Sequence, residues 1–473
     1  MNLNIDHGLK YRMVRLTALQ LYSYLPKKNC GKCGEDTCMA FAMKLIEREK
    51  QASDCPELTE DGLKKLVDIL TPPVRDVRFH KKEREIVIGG EEVMYRHELK
   101  FFNQTKIMLD ISDLMNDKEI KKRIDFVKEF EFERIGEKLK MDGIAIRCAS
   151  DDTERYKSIV RYISDIYDGP IMLCSFKPDI LGDAIDCISD RKPLLYAATK
   201  DNIDDMMKIA IKYDVPLVIY EEDLSTIGTM TRKLNSMNFN QIVMDIGFDP
   251  RRGNLGKSLN RFAMVRMSAI NGTKELGYPL MVSTVPIYGD CGKDITLEFY
   301  ESNIACILLH RFISLLVVHT MNPWSIIPLL VLRQNIYADP RIEPSAEPKL
   351  YEINNPDENS PVLLTTNFAL TYFNVSSDLE NAKIPAYLLV IDTEGLAVAV
   401  SLAAGKLTPT GIKRALEEND VDKRVKHRKL IIPGLAARLK VVIEEKTKWD
   451  VVIGPTDSSQ IGGFLKEQWK NGC

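Results

Sequence analysis

Between Tyr95 and about residue 325 the chain alternates between short, nearly continuous apolar runs and longer polar stretches of helical period. The runs are KIMLDIS, GIAIRCA, PIMLCSF, PLLYAAT, PLVIY, QIVMDIG and PLMVST, with a last one at CILLH or LLVVH. Strands buried on both faces of a parallel sheet read this way, because neither face needs a polar residue. Stretches such as DKEIKKRIDFVKEFEFERIGEKLK supply the intervening helices. Eight strand–helix units predict an α/β fold, a TIM (β/α)8 barrel over 96–325, with an open doubly wound sheet as the competing topology.

The same alternation returns over 362–473, with VLLTTN, AYLLVIDT, KLIIPG and DVVIGP as strands, and predicts a smaller Rossmann-like domain. Between them, 326–361 reads as a linker, because five prolines fall within 338–361. At the other end, 1–60 reads as a small module. Helical spacing in LTALQLYSYLP and CMAFAMKLIEREK brackets a cysteine-bearing loop, and 61–95 reads as a charged connector with short strands.

Composition narrows the class. A chain of 473 residues accommodates several cores. A formal net charge of −3 gives no support for nucleic-acid binding. Charges interrupt every apolar run of the opening MNLNIDHGLKYRMVRL, and His310 and Arg311 break IACILLHRFISLLVVHT. No secretory or membrane segment is therefore expected, and the expected location is cytoplasmic. Ten cysteines in so long a chain do not make a disulfide scaffold. Six are scattered and read as buried free thiols in a reducing compartment.

The other four cluster: Cys30, Cys33, Cys38 and Cys55, spaced C-x2-C-x4-C-x16-C, with Pro56 following. Four thiolates satisfy a tetrahedral zinc or an iron–sulfur cluster. Zinc sites usually repeat two short knuckles and this chain has one, so the layout suits a 4Fe–4S cluster, with zinc as the alternative. GxGxxG and GxxxxGK[ST] are absent, which weakens a conventional nucleotide enzyme. Of the six histidines, His310 and His319 flank an apolar run and read as core, and His427 reads as a turn residue. Asp110 and Asp113 end the first barrel strand, where barrels place catalytic groups, although a helix N-cap at Asp113 explains them as well. In the last domain the strand-end turns TTNFALTYF, DTEGLAVAVSLAAGK, IPGLAARL and GPTDSSQIGG are rich in Gly, Thr and Ser and hold no ionisable triad. They suit a large polar-rimmed ligand better than hydrolysis.

Taken together, LPKKNCGKCGEDTCMAFAMKL with the later DCP, YRHELKFFNQT, FERIGEKLKMDGIAIR, LRQNIYADP, EPKLYEINNPDENSPVLLTTNFALTYF, PAYLLVIDTEG and HRKLIIPGLAARL resemble the gamma (large) subunit of the corrinoid iron–sulfur protein of the acetyl-CoA decarbonylase/synthase complex. The resemblance spans nearly the whole chain. The extension before Leu16 departs from it, as does MDIG at 244–247, where the family pattern has a DPG-like turn.

What the resemblance implies is a methyl carrier. Cys30, Cys33, Cys38 and Cys55 would ligate a 4Fe–4S cluster. Thr365, Thr371, Gly395, Leu396, Ala397, Val398 and Ser458 would contact a corrinoid (cobamide). Its cobalt, as Co(I), would take a methyl group from a methyl-tetrahydropterin, then pass it from methyl-Co(III) to the nickel centre of acetyl-CoA synthase, with the cluster reducing Co(II) back to Co(I). On this view the chain is a methyltransferase component. Its partners would be a small (delta) subunit, the acetyl-CoA synthase/CO dehydrogenase components and the pterin donor or its methyltransferase, with no nucleic acid and no membrane. The chain has no D-x-H-x-x-G motif, so the corrinoid would sit base-off without a protein histidine. An axial imidazole would make Co(I) harder to reach, at about 59 mV for each tenfold in a one-electron ratio. The reading from another class is an iron–sulfur electron-transfer or corrinoid-activator protein with no corrinoid of its own.

Overall fold

The computed structural model describes residues 17–80, 84–250, 255–289, 294–340 and 344–469, so the opening MNLNIDHGLKYRMVRL lies outside the described residues. It falls into two compact units, one reaching residue 338 without 133–138, the other joining 133–138 to 339 onward.

The first unit opens with three short helices, α1 (Ala18–Tyr24), α2 (Cys38–Ile46) and α3 (Glu60–Leu70). Thr17, Thr37 and Thr59 cap them, each accepting from a backbone N–H one turn in, at Gln20, Ala40 and Gly62. Such a cap contributes about 1 kcal/mol. Leu21, Phe41, Ala42, Leu45 and Leu66 form their shared core. α3 occupies the start of the stretch expected to be a connector. Leu63, Leu66 and Leu70 recur at helical spacing behind the Thr59 cap, and that amphipathic stripe overrides the local charge.

Next comes an antiparallel hairpin, β1 (Val77–Phe79) and β2 (Ile86–Ile88), with Val77 opposite Ile88. Eight parallel strands follow: β3 (Lys106–Ser112), then, after a second hairpin of β4 (Phe132–Arg134) and β5 (Glu137–Leu139), β6 (Gly143–Arg147), β7 (Ile171–Cys174), β8 (Leu194–Ala198), β9 (Leu217–Tyr220), β10 (Ile242–Asp245), β11 (Leu280–Ser283) and β12 (Ile313–Val318). Each pairs with the next in sequence and β12 closes on β3, Leu315 beside Lys106, so the barrel is closed and the doubly wound alternative falls. Eight helices alternate with them: α4 (Asp117–Glu129), α5 (Thr153–Ile166), α6 (Pro178–Ile185), α7 (Ile203–Tyr213), α8 (Leu224–Ser236), α9 (Leu255–Ile270), α10 (Ile295–Leu309) and α11 (Pro323–Tyr337). LLVVH lies on the last strand and its end, whereas CILLH ends α10. That helix is apolar nearly all round, so periodicity could not separate it from a strand.

Hairpin residues Val77, Phe79, Ile86 and Ile88 pack with the inward-facing Met108, Met172, Leu194, Val243, Met281 and Leu315, plugging one end of the barrel with apolar bulk. Arg48, just after α2, donates to Gly90 O and Glu92 Oε1 at 2.6 Å each and stacks 4.0 Å from the Phe102 ring centroid, tying the helical module to this hairpin.

The second unit is a five-stranded sheet, β13 (Leu350–Ile353), β14 (Val362–Thr366), β15 (Ala386–Ile391), β16 (Lys429–Ile432) and β17 (Asp450–Ile453), in spatial order β13-β15-β14-β16-β17. All pairs are parallel except β13 with β15. Helices α12 (Ala369–Asn381), α13 (Val398–Ala403), α14 (Pro409–Glu418), α15 (Val421–Arg424), α16 (Lys440–Thr447) and α17 (Ile461–Gln468) connect and flank the strands. The expected linker is thus structured at both ends: α11 runs on to Tyr337, and Leu350–Ile353 pairs as an antiparallel edge strand, a place where four residues suffice. Among the described residues no helix is long and apolar enough to cross a membrane.

Candidate functional sites

The cysteine loop joins α1 to α2. Gly31 and Gly34 sit at φ +71° and +85°, which lets the chain coil tightly between Cys30 and Cys38. Asn29 Oδ1 accepts from the Cys38 N–H at 2.8 Å, setting the start of α2. Cys30 is exposed, Cys33 half-buried, and Cys38 and Cys55 buried, and all four are free thiols, so no disulfide joins them. Burial pushes the Cys55 thiol up, a backbone hydrogen bond at Glu57 works against it, and the nearby Cys33, Cys38 and Cys30 add to the rise. Among the described residues no three His, Cys, Asp or Glu side chains are drawn in to metal-ligand distance. Beside the loop, Lys28 and Lys32 each pair with Glu57 at 2.6 Å, and those hydrogen bonds lower its carboxyl to about 2.

At the carboxyl ends of the barrel strands the inward positions turn polar. Asp110 is buried and accepts from Arg147 Nε and Nη2 at 3.1 and 3.2 Å. His319 Nδ1 lies 3.0 Å from Asp110 Oδ2, the oxygen that also accepts from Arg147 Nη2. Arg123 Nη2 stands 3.1 Å from His319 Nε2. A guanidinium only donates, so Nε2 accepts and the ring proton sits on Nδ1, aimed at Asp110. Burial alone would raise the Asp110 pKa, but the bonds from His319 and Arg147 hold it below the ordinary value. Asp113 does not cap α4, which Asn116 does. It accepts instead from the Ala149 and Ser150 amides at 2.8 and 3.1 Å. In MDIG, Asp245 accepts from Gly247 N at 2.9 Å and Tyr196 Oη at 3.0 Å, and burial lifts it to about 6. Glu301 gathers Thr284, Tyr288 and the His319 and Thr320 amides. These carboxylates already hold their donors, so the face is braced.

The second unit holds a pocket of about 350 Å³ at the carboxyl edge of its parallel strands. Thr365, Thr371, Ala397, Val398 and Ser458 all line it, although they come from three different strand-end turns. Gly395 and Leu396 do not. The Gly395 N–H is taken by Asn367 Oδ1 at 3.0 Å, and the Leu396 carbonyl accepts from the Thr393 hydroxyl at 2.8 Å, so that turn is tied inward. The floor depends on a close approach: a Cβ at Gly434 would fall 2.7 Å from Gly454 O. Asp457 is the one ionisable lining residue, and its carboxylate is bound to the Ser459 amide and hydroxyl. Thr365 is 2% exposed and its Oγ1 has no hydrogen-bond partner, as has Oγ1 of the adjacent Thr366. Buried hydroxyls are nearly always paired. An orphan on a pocket wall is an unmet demand for a polar ligand atom. Sequence reasoning alone missed Asn367, whose amide looks like ordinary turn chemistry, and His319, which read as core. A larger cavity of about 720 Å³ lies in the first unit beside Arg48, Asp76, Glu92 and Leu99, and none of the predicted site residues lines it.

Comparison with known proteins bears on these sites. The family described as CO dehydrogenase/acetyl-CoA synthase delta subunit matches residues 76–465, and an Fe-S cluster family matches residues 25–57. The acetyl-CoA decarbonylase/synthase complex subunit gamma of Methanothermobacter thermautotrophicus is 40% identical over 454 residues, 96% of this chain and 99% of the relative. Its counterpart in Methanocaldococcus jannaschii is 40% identical over 474 residues, 96% of each chain. Among solved structures, dihydropteroate synthase from Xanthomonas albilineans with 7,8-dihydropteroate covers 56% of this chain and 100% of its own at 12% identity and TM-score 0.39, too faint a likeness to carry function.

Proposed function

The chain belongs to the CO dehydrogenase/acetyl-CoA synthase subunit family, its relatives over the whole length being gamma subunits of acetyl-CoA decarbonylase/synthase complexes, and we propose that it is the corrinoid iron–sulfur methyl carrier of such a complex. Its iron–sulfur module lies within residues 25–57, and the cluster is of the 4Fe–4S type, held by Cys30, Cys33, Cys38 and Cys55. When bound, the corrinoid would supply a cobalt that takes a methyl group from a methyl-tetrahydropterin and yields it to the nickel centre of acetyl-CoA synthase, and the cluster would supply the electron that restores the cobalt.

The observation that carries the corrinoid half is the orphan Thr365 hydroxyl on the wall of a pocket lined mainly by aliphatic and small polar side chains. Thr365, Thr371 and Ser458 would offer hydroxyls to the polar groups of a bound corrinoid, and Ala397 and Val398 would meet it with small apolar side chains. None of the lining residues is a histidine, cysteine, methionine or lysine. Leu435 on the rim is half exposed, as are Leu370 and Val400 next to lining residues. That apolar rim suits a covering partner, which we take to be the small subunit.

The test is metal analysis of the full chain purified without oxygen, co-expressed with its small-subunit partner and supplied with cobamide. About four iron and about one cobalt per chain are expected. Iron without cobalt would favour the electron-transfer alternative, and zinc in place of iron would overturn the cysteine assignment.

A further inference from the structure

We propose that Asn367 is the positioning residue of the corrinoid pocket: it touches no ligand, and it sets the turn that places Ala397 and Val398 on the wall. The inference rests on the corrinoid reading of that pocket.

Asn367 follows β14 and is 4% exposed. Its Oδ1 collects three donors from the turn after β15: Thr393 N at 2.9 Å, Thr393 Oγ1 at 2.9 Å and Gly395 N at 3.0 Å. Its Nδ2 donates to Asp392 Oδ1 at 3.1 Å, which in turn accepts from Glu394 N at 2.9 Å. The turn needs this help. Glu394 and Gly395 both stand at positive φ, +60° and +75°, a conformation that the glutamate pays for in steric energy. The Thr393 hydroxyl has a single proton to share between Asn367 Oδ1 and Leu396 O, so it cannot hold the turn by itself.

The side-chain type matters at both ends. Only an amide presents an acceptor to two backbone N–H groups and a donor to a carboxylate from one planar group. Two consecutive strand-end turns are therefore locked edge to edge. One carries Thr365 and Thr371 and the other Ala397 and Val398, and all four line the pocket. Fixing a wall before the ligand arrives spares the ordering cost at binding.

The charged groups around this tie are few. Asp392 faces Nδ2, and Glu394 is drawn outward to Lys406. In Asn367→Asp the acceptor is kept, but a carboxylate oxygen replaces Nδ2 about 3 Å from Asp392. Two carboxylates that close cannot both ionise and share one proton. The lock should then close when a proton is present and open when it is lost.

The experiment uses the full chain with its partner subunit. Hydroxocobalamin affinity is read by absorbance titration, and hydrogen exchange is read at the Thr393 and Gly395 amides without corrinoid. Asn367→Ala should weaken hydroxocobalamin about tenfold or more and speed exchange at those two amides, while β14 and β15 stay protected. Asn367→Asp should bind far more weakly than the parent at about pH 8 and recover to within about threefold of the parent when both are measured at about pH 5.5. Unchanged exchange at Thr393 and Gly395 in Asn367→Ala would overturn the inference even if corrinoid binds. An affinity ratio of Asn367→Asp to parent that is the same at both pH values would overturn it too. A parent chain that binds no hydroxocobalamin, yet whose Asn367→Ala variant loosens the turn, would sink the corrinoid reading while leaving the tie itself in place.

Discussion

Replacing Thr365 by valine deletes one hydroxyl and keeps a β-branched side chain of the same outline. The hydroxyl is buried and unpartnered in the ligand-free chain, a state that costs about 1–3 kcal/mol. Thr365→Val should therefore stabilise the ligand-free second unit by about 1–2 kcal/mol, a factor of roughly 5–30 in its opening equilibrium. The corrinoid-bound protein reverses the sign. If the ligand satisfies the hydroxyl, the parent recovers that energy on binding and the valine variant has nothing to recover. The dissociation constant should then rise by about the same 5- to 30-fold. Native-state hydrogen exchange of the β14 and β15 amides measures the first effect, and titration with hydroxocobalamin measures the second. The reasoning fails if valine lowers ligand-free stability, or if it raises that stability and leaves affinity untouched. In the second case the orphan hydroxyl is simply a flaw in the core.

Cys38→Ala should remove the broad visible absorbance and most of the iron, and leave corrinoid occupancy within error of the parent, because the thiol and the pocket lie in different units. Thr371→Phe, which pushes a ring into a pocket of about 350 Å³, should cut cobalt occupancy to a small fraction in the same metal analysis, and full occupancy would count against the pocket. Glu91 is 2% exposed, and burial lifts it to about 7 against the pull of Arg266 and Arg48. The folded state thus holds this proton more tightly than the unfolded chain. Its contribution is full below about pH 4.5 and is lost as pH rises through about 7, by about 3 kcal/mol. Glu91→Gln should flatten that slope in denaturant melts of the first unit, and an unchanged slope would show that Glu91 ionises freely.

How much of this was legible depended on the length scale of each signal. The barrel strands could be read because a parallel strand between two helix layers has no polar face to confuse. CILLH and LLVVH could not be told apart, since α10 carries apolar residues such as Phe299 and Ile307 on its exposed face as well and so shows no hydrophobic period. α3 and β13 went unseen for other reasons: the charges of EDGLKKLVD masked the Leu63, Leu66 and Leu70 stripe of α3, and β13 is four residues long and owes its state to the edge of β15. At the sites, the cysteines announce themselves by spacing alone. Asp110 and His319 lie 209 residues apart, and nothing local in either stretch announces the pair. Asn367 sits in a motif that the resemblance singles out, yet its role needs the geometry of a second turn 26 to 28 residues away.

The small hairpin tip at 133–138 belongs with residues 339 onward, not with the barrel residues on either side of it. Within that unit it fits closely: a Cβ at Gly136 would lie 2.5 Å from the Phe373 ring, and at φ +70° only glycine is at ease there. On the ribosome the tip is made early and its partner helix late. At 5–20 residues per second the roughly 235 intervening residues take about 12–47 s. For that time the barrel can close but the tip has nothing to dock on, so the second unit is finished last and from two distant pieces of chain. A gene fragment beginning at 339 would lack one of those pieces however well its sheet folded.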